Sequence, residues 1–258
     1  MKLNDLPLFD SHLHIIDPRY PLIENNGYLP PAFTCGDYRQ RMASYHLIGG
    51  AIVSGSFQGF DQTYLIEALR DLGPQFVGVT QIPLSTSDEQ ILSLHAAGVR
   101  AVRFNLKRGG SEDVQHLDRL ARRVHELVRW HAELYVDSRE LPALHEILVR
   151  LPAVSIDHLG LSQSGFGELL KLVEAGVKVK ATGFGRTDLD LAHALRSLYA
   201  ANPSALMFGT DLPSTRAPRA YQDEDFVRVV DCLGEQAARQ VLCENALRFY
   251  GFSAEKMG

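Results

Sequence analysis

Short apolar runs recur along the chain, each separated from the next by a stretch whose apolar positions repeat at helical spacing. Leu6, Leu8 and Phe9 lead into Asp10-Ser11-His12-Leu13-His14-Ile15, a first strand halted by Pro18 and Pro21. Residues 17–31, rich in Pro, Asn and Gly, read as a long loop over the carboxyl end of that strand. A helix is expected over about 37–46 and a buried strand over 49–56. Asp61 is placed to cap the next helix, which runs through Tyr64, Leu65, Ala68 and Leu69 and ends at Gly73-Pro74. Further strands are expected over 76–82, 99–105, 133–137, 154–160, 177–183 and 206–211. Helices fall between them: one capped by Ser87 and closed by Gly98, and a long one through Leu117, Leu120, Val124 and Val128. Others follow near 141–151, 167–175 and 188–200, and the chain beyond strand eight reads as helical.

Eight strands alternating with eight helical stretches imply parallel strands joined by helical crossovers. In 258 residues that count fits a closed (β/α)8 TIM barrel, an α/β fold, here with extra C-terminal helices. No Gly-rich dinucleotide fingerprint follows the first strand, as an open doubly wound sheet would lead one to expect. No linker or shift in composition divides the chain, so a single domain over 1–258 is expected.

Composition narrows the partners. The net charge of −5 gives no general attraction to nucleic acid or to an anionic membrane. No apolar run approaches the roughly 20 residues of a membrane span. Met1-Lys2-Leu3-Asn4-Asp5 turns polar too early for a signal peptide, and Cys35, Cys232 and Cys243 lack a C-x-x-C spacing. A cytoplasmic protein with reduced thiols is expected.

Residues two apart on a strand share a face, so His12 and His14 should project side by side at a strand's carboxyl end, where barrel enzymes keep their chemistry. Other polar residues fall at equivalent places: Ser54, Arg103 with Asn105, Tyr135 with Asp137, His158 and Asp211. Val177, Val179 and Ala181 form the apolar face of strand seven, which turns Lys180 and Thr182 into the barrel. Taken singly each could be a satisfied strand-end residue; their convergence suggests a site. Arg103, Lys107, Arg108 and Arg186 follow strand ends that line one mouth, with Lys180 inside it. Such cations imply a small anionic substrate, expected to carry two carboxylates. Tyr28, Ser54 and Tyr135 are candidates for its remaining hydrogen bonds.

The motifs Phe9-Asp10-Ser11-His12-Leu13-His14, Asp157-His158 and Gly209-Thr210-Asp211-Leu212-Pro213, with the stretch 244–252, resemble the amidohydrolase superfamily (amidohydrolase-2 type). Arg103-Phe104-Asn105 and Gly183-Phe184-Gly185-Arg186 are similar to its branch of 2-pyrone-4,6-dicarboxylate lactonases. That resemblance implies a hydrolase of aromatic-compound catabolism that opens a carboxylated lactone without a metal. Asp211 would activate water as general base, and His12, His14 and His158 would donate to the oxyanion. Desolvation at the barrel mouth would raise the pKa of Asp211 toward that task. Binuclear members place a lysine or glutamate on strand four and a histidine on strand five, where this chain has Arg103-Phe104-Asn105 and Tyr135-Val136-Asp137. A guanidinium there opposes a two-metal centre, although His12, His14 and Asp211 could hold a single divalent ion. The alternatives are a metal-dependent decarboxylase or hydratase on the same barrel and a non-catalytic binder of an acidic metabolite.

Overall fold

The computed structural model describes residues 2–252. Its strands are β1 (Pro7–Leu13), β2 (His46–Val53), β3 (Phe76–Thr80), β4 (Val99–Asn105), β5 (His131–Tyr135), β6 (Val154–Ile156), β7 (Lys178–Ala181) and β8 (Leu206–Phe208). They form one parallel sheet in sequence order. Hydrogen bonds from His14 N to Leu212 O and from Asp211 N to His12 O, both 2.7 Å, join the two edges and bring the sheet round into a barrel. The fold is the (β/α)8 barrel that the strand count implies.

Helices α1 (Cys35–Met42), α2 (Thr63–Leu72), α3 (Asp88–Ala96), α4 (Leu117–Val128), α5 (Leu141–Leu148), α6 (Phe166–Glu174), α7 (Leu191–Ala201) and α8 (Asp223–Leu233) follow the strands in turn. Helix α3 starts at the Ser87 cap, whose hydroxyl accepts from Gln90 N. Helix α2 does not start at Asp61. Gln62 is the residue before its first turn, and the Asp61 carboxylate takes the Thr63 hydroxyl instead, at 2.8 Å. Several strands are shorter than their apolar runs, because Asp157, Thr182 and Asp211 leave the ladder for turns over the mouth. Among the described residues no helix is long and apolar enough to cross a membrane.

Two apolar layers result. Ile52, Val102, Phe104, Leu134, Ile156 and Phe208 point outward against the helices. Phe9, Ala51, Val79, Ala101 and Met207 point inward. The lower end of the barrel is stopped by the C-terminal segment, α9 (Glu235–Arg239), a π-helical turn (Gln240–Glu244) and α10 (Asn245–Phe249). Ala246, Leu247 and Tyr250 pack into the inner layer, with the Tyr250 ring stacked on Phe9 at 5.6 Å.

Strict alternation along β1 would put Phe9 and Ser11 inside and His12 outside. The register against β2 slips between Asp10 and Leu13, and this irregularity turns both Phe9 and His12 inward. Asp10 pins the slip by accepting from Thr210 N (2.8 Å), Thr210 Oγ1 (2.7 Å) and Tyr38 Oη (3.0 Å). Burial outweighs those bonds and pushes Asp10 up to about 6. Gly209 lets β8 close on β1, since a Cβ there would lie 2.6 Å from His12 N.

Candidate active site

Above the apolar floor, strand alternation places a layer of ions inside the barrel. Lys180 Nζ lies 2.5 Å from Glu133 Oε2, and both are fully buried. Arg103 donates to Asp157 Oδ2 through Nη2 at 2.7 Å and through Nε at 3.3 Å, and its Nη1 donates to Ser54 O at 2.8 Å. His12 stands between the acids, its Nδ1 3.3 Å from Asp157 and 3.7 Å from Glu133. Burial drives His12 well below the usual histidine range and so keeps it neutral, although Asp157 pulls the other way. Burial, then repulsion from Asp157, pushes Glu133 up to about 7 against Lys180 and Arg103. Burial would raise Asp157 too, but His12 and Arg103 hold it well below the ordinary carboxylate range.

Asp211 forms the next layer. Its Oδ1 faces His14 Nε2 at 3.6 Å and His12 Nε2 at 3.9 Å, and its Oδ2 accepts from Arg186 Nε at 2.6 Å. Arg186 is anchored from behind by Thr215 O at 2.8 Å. The raised pKa expected for Asp211 is not what this environment produces. Burial does push upward, but the Arg186 guanidinium beside it outweighs this and holds the carboxyl far below its ordinary value. The His158 ring packs 4.9 Å from both His12 and Tyr135, and burial takes it down to about 3. Gly183, at φ +59°, clears space for it, since a Cβ there would meet His158 Nδ1 at 2.5 Å.

Next to these layers lies a cavity of about 30 Å³ lined by His14, Phe57, Arg103, Tyr135, His158 and Arg186, among others; Asp211 reaches it through its partners His14 and Arg186. Beside it a vestibule of about 290 Å³ is lined by Lys107, Arg108, Tyr135, Arg139, Arg186 and Arg216. The structure thus gathers His12, His14, His158, Asp211, Arg103, Arg108, Arg186 and Tyr135 in one place. Four other candidates sit elsewhere. Lys180 does face inward, but it lies in the ion layer, bound to an acid that sequence reasoning did not consider. Lys107 lines only the vestibule and pairs with Asp137 at 3.2 Å. The Ser54 hydroxyl is spent on Tyr64 Oη at 2.6 Å, and the Tyr28 ring supports Arg216, 4.3 Å from its guanidinium carbon. Sequence reasoning missed Glu133, which alternation from Tyr135 could have found, and Arg216, which lies in a loop where no period applies.

His12, His158 and Asp211 each offer a ligand atom within 4.8 Å of the others. His12 Nε2, His158 Nδ1 and Asp211 Oδ1 are buried without hydrogen-bond partners, which fits a single divalent ion. This set has His158 where the sequence suggested His14, whose other nitrogen is held by Val53 O at 2.7 Å. A second grouping, His12 with Glu133 and Asp157, does not fit an ion, because Lys180 and Arg103 already compensate both acids.

A 2-pyrone-4,6-dicarboxylate hydrolase of Comamonas testosteroni is 24% identical, over 93% of this chain and 89% of its own. A D-galactarolactone isomerase of Agrobacterium fabrum is 26% identical, over 96% of this chain and 92% of its own. A Pseudomonas putida structure, provisionally named a 2-pyrone-4,6-dicarboxylic acid hydrolase, superposes with a TM-score of 0.80 at 27% identity, covering 98% of this chain and 99% of that one. The family model described as Amidohydrolase matches residues 9–252, nearly the whole barrel with its inward histidines and Asp211, and the chain belongs to the amidohydrolase family.

Proposed function

We propose that this protein hydrolyses a carboxylated lactone of the 2-pyrone-4,6-dicarboxylate type, with Asp211 as the base that activates water. The observation that carries this reading is the pairing at Asp211: one oxygen faces two histidines and the other is held by an arginine that lines the cavity. The names of both curated relatives specify lactone or pyrone substrates, which supports the substrate class.

The surroundings of the two histidines support a division of roles. His14 donates through Nδ1 to Val53 O, and His12 turns Nδ1 toward Asp157. In their neutral forms both therefore present a bare Nε2 beside Asp211 Oδ1, a set of acceptors that holds a water by its hydrogens. This differs from the oxyanion role expected for them. His158 and Arg103, which also line the cavity, are left to stabilise the developing oxyanion. Asp211 takes the proton of the attacking water and returns it to the leaving oxygen. Arg186 keeps Asp211 a weak base until a substrate carboxylate draws that guanidinium toward itself. Recognition of the anion and release of the base are then one event.

If an ion were bound by His12, His158 and Asp211, it would polarise the carbonyl and acidify a water. Charge balance favours chemistry without one: Asp211, Asp157 and Glu133 are matched by Arg186, Arg103 and Lys180. A divalent cation would add two uncompensated charges to this buried site. The test is turnover of 2-pyrone-4,6-dicarboxylate and of analogues with one or no carboxylate, before and after prolonged chelation. The expected result is hydrolysis indifferent to chelator, with kcat/KM falling at each carboxylate removed. Activity switched off by chelation and restored by zinc would assign the water to a metal. Failure to open any of these lactones would overturn the reading.

A further inference from the structure

The arginines at the mouth differ in what they already hold. Arg103 is neutralised by Asp157 and Arg186 by Asp211. Arg108 and Arg216 also line the cavity, and among the described residues neither has a carboxylate partner. Both also line the vestibule, so they stand where the two spaces meet. Two partly buried like charges lining one space repel each other, and an anion lying between them relieves that repulsion.

Arg216 has a second attachment. Its Nη1 donates to Asn25 Oδ1 at 2.9 Å, its Nη2 donates to Asn25 O, and its guanidinium stacks on Tyr28. Asn25 and Tyr28 are the two ends of a tight turn, bonded to each other through both backbone N–H groups, with Asn26 and Gly27 at positive φ between them. Asn25 Nδ2 in turn donates to Arg108 O at 3.1 Å. The loops after β1, β4 and β8 therefore meet at one asparagine above the cavity. That cavity holds about 30 Å³, whereas small-molecule sites occupy about 300 Å³ or more, so a substrate whose carbonyl is seated by Asp211 reaches past this clasp into the vestibule.

We propose that Arg216 is a specificity-determining residue, the anchor for the substrate carboxylate remote from the reacting carbonyl, and that it couples that contact to closure of the 17–31 loop through Asn25 and Tyr28. The reacting carbonyl sits beneath, by Asp211, and the remote carboxylate lies at the junction with the vestibule, between Arg216 and Arg108. The substrate class this selects is a lactone with an anionic group at each end, not one with both groups on the side of Arg103. The inference rests on the carboxylated-lactone reading, but the two can fail separately.

The experiment compares wild type, Arg216→Gln and Arg216→Lys on a lactone with two carboxylates and on its analogue lacking the remote one. Calorimetric binding of citrate, a tricarboxylate, is measured on the same three proteins. The ratio of kcat/KM between the two lactones is expected to fall at least tenfold in Arg216→Gln and by less in Arg216→Lys, which keeps the charge without the fork. Equal losses on both lactones would overturn the proposal by making Arg216 merely structural. If the wild type opened no lactone, the functional reading would fall and citrate would decide on Arg216. At least tenfold weaker binding by Arg216→Gln is then expected. Unchanged affinity, or no citrate binding by the wild type, would overturn it.

Discussion

Asp211 combines a functional side chain with an uncommon backbone. At φ +61° it occupies the left-handed region, where Asp and Asn are tolerated far better than most residues. Asp211→Asn should therefore keep the loop after β8 in place while removing the carboxylate oxygen proposed to take the water's proton. The expected outcome is a drop of at least about a hundredfold in kcat, together with a lower thermal midpoint, because Arg186 loses its buried ion-pair partner. A variant retaining more than a tenth of wild-type kcat would remove Asp211 from the role of base. Arg103 makes the opposite case. Its guanidinium is buried with Asp157, so Arg103→Met leaves a buried carboxylate unpaired and should lower the unfolding free energy by about 3 to 5 kcal/mol in urea titrations. Loss of activity in that variant would then reflect the ion layer before it reflected substrate contact.

At the scale of elements, β4, β5 and β7 each send alternate polar residues into the barrel, and the ion layer is what their three inward faces share. That layer was half legible. Alternation along β7 turned Lys180 inward, but without Glu133 as its partner the lysine read as a substrate contact. Arg103 was legible for the same reason, and it does line the cavity, but its partner Asp157 was not. The slip in β1 was not legible at all, because no residue type announces a register shift, and the spacing of Phe9 and His12 looks wrong until Asp10 is seen holding Thr210 and Tyr38. The strand ends were placed too far along because apolar runs continue into turns that the mouth requires. If Lys180 and Glu133 act as a pair, Lys180→Met should destabilise by about 3 to 5 kcal/mol, and adding Glu133→Gln should recover at least half of that. Additive losses in the double variant would show the two to be independent.

For the molecule as a whole, the buried titratable groups predict how stability responds to pH. His12, His131 and His158 are taken down by burial, His158 to about 3, so between pH 6.5 and that value the unfolded chain binds protons the folded one refuses. Stability from this source falls as pH drops below 6.5. Glu133, raised to about 7, and Asp10, raised to about 6, work in the opposite sense, because the folded state holds their protons first. Asp157 and Asp211, both depressed, contribute stability above the ordinary carboxylate range that disappears below it. Urea midpoints should therefore decline gently from pH 7 to about 4.5 and steeply below about 4; a steep fall beginning at pH 6 would mean that the two raised acids do not offset the histidines. The floor of the barrel has a consequence of another kind. Phe9, near the start of the chain, is covered by Tyr250, near the end of the described residues, so the inner apolar layer stays open until the last two helices have been synthesised. On the ribosome, strands β1 to β8 emerge as a cylinder without a base, dependent on chaperones or on speed to keep that ring of aromatic and aliphatic side chains from a neighbouring nascent chain. A polypeptide ending at residue 239 should remain in that exposed condition and precipitate, while the same fragment supplied with 240–252 as a separate peptide should become soluble.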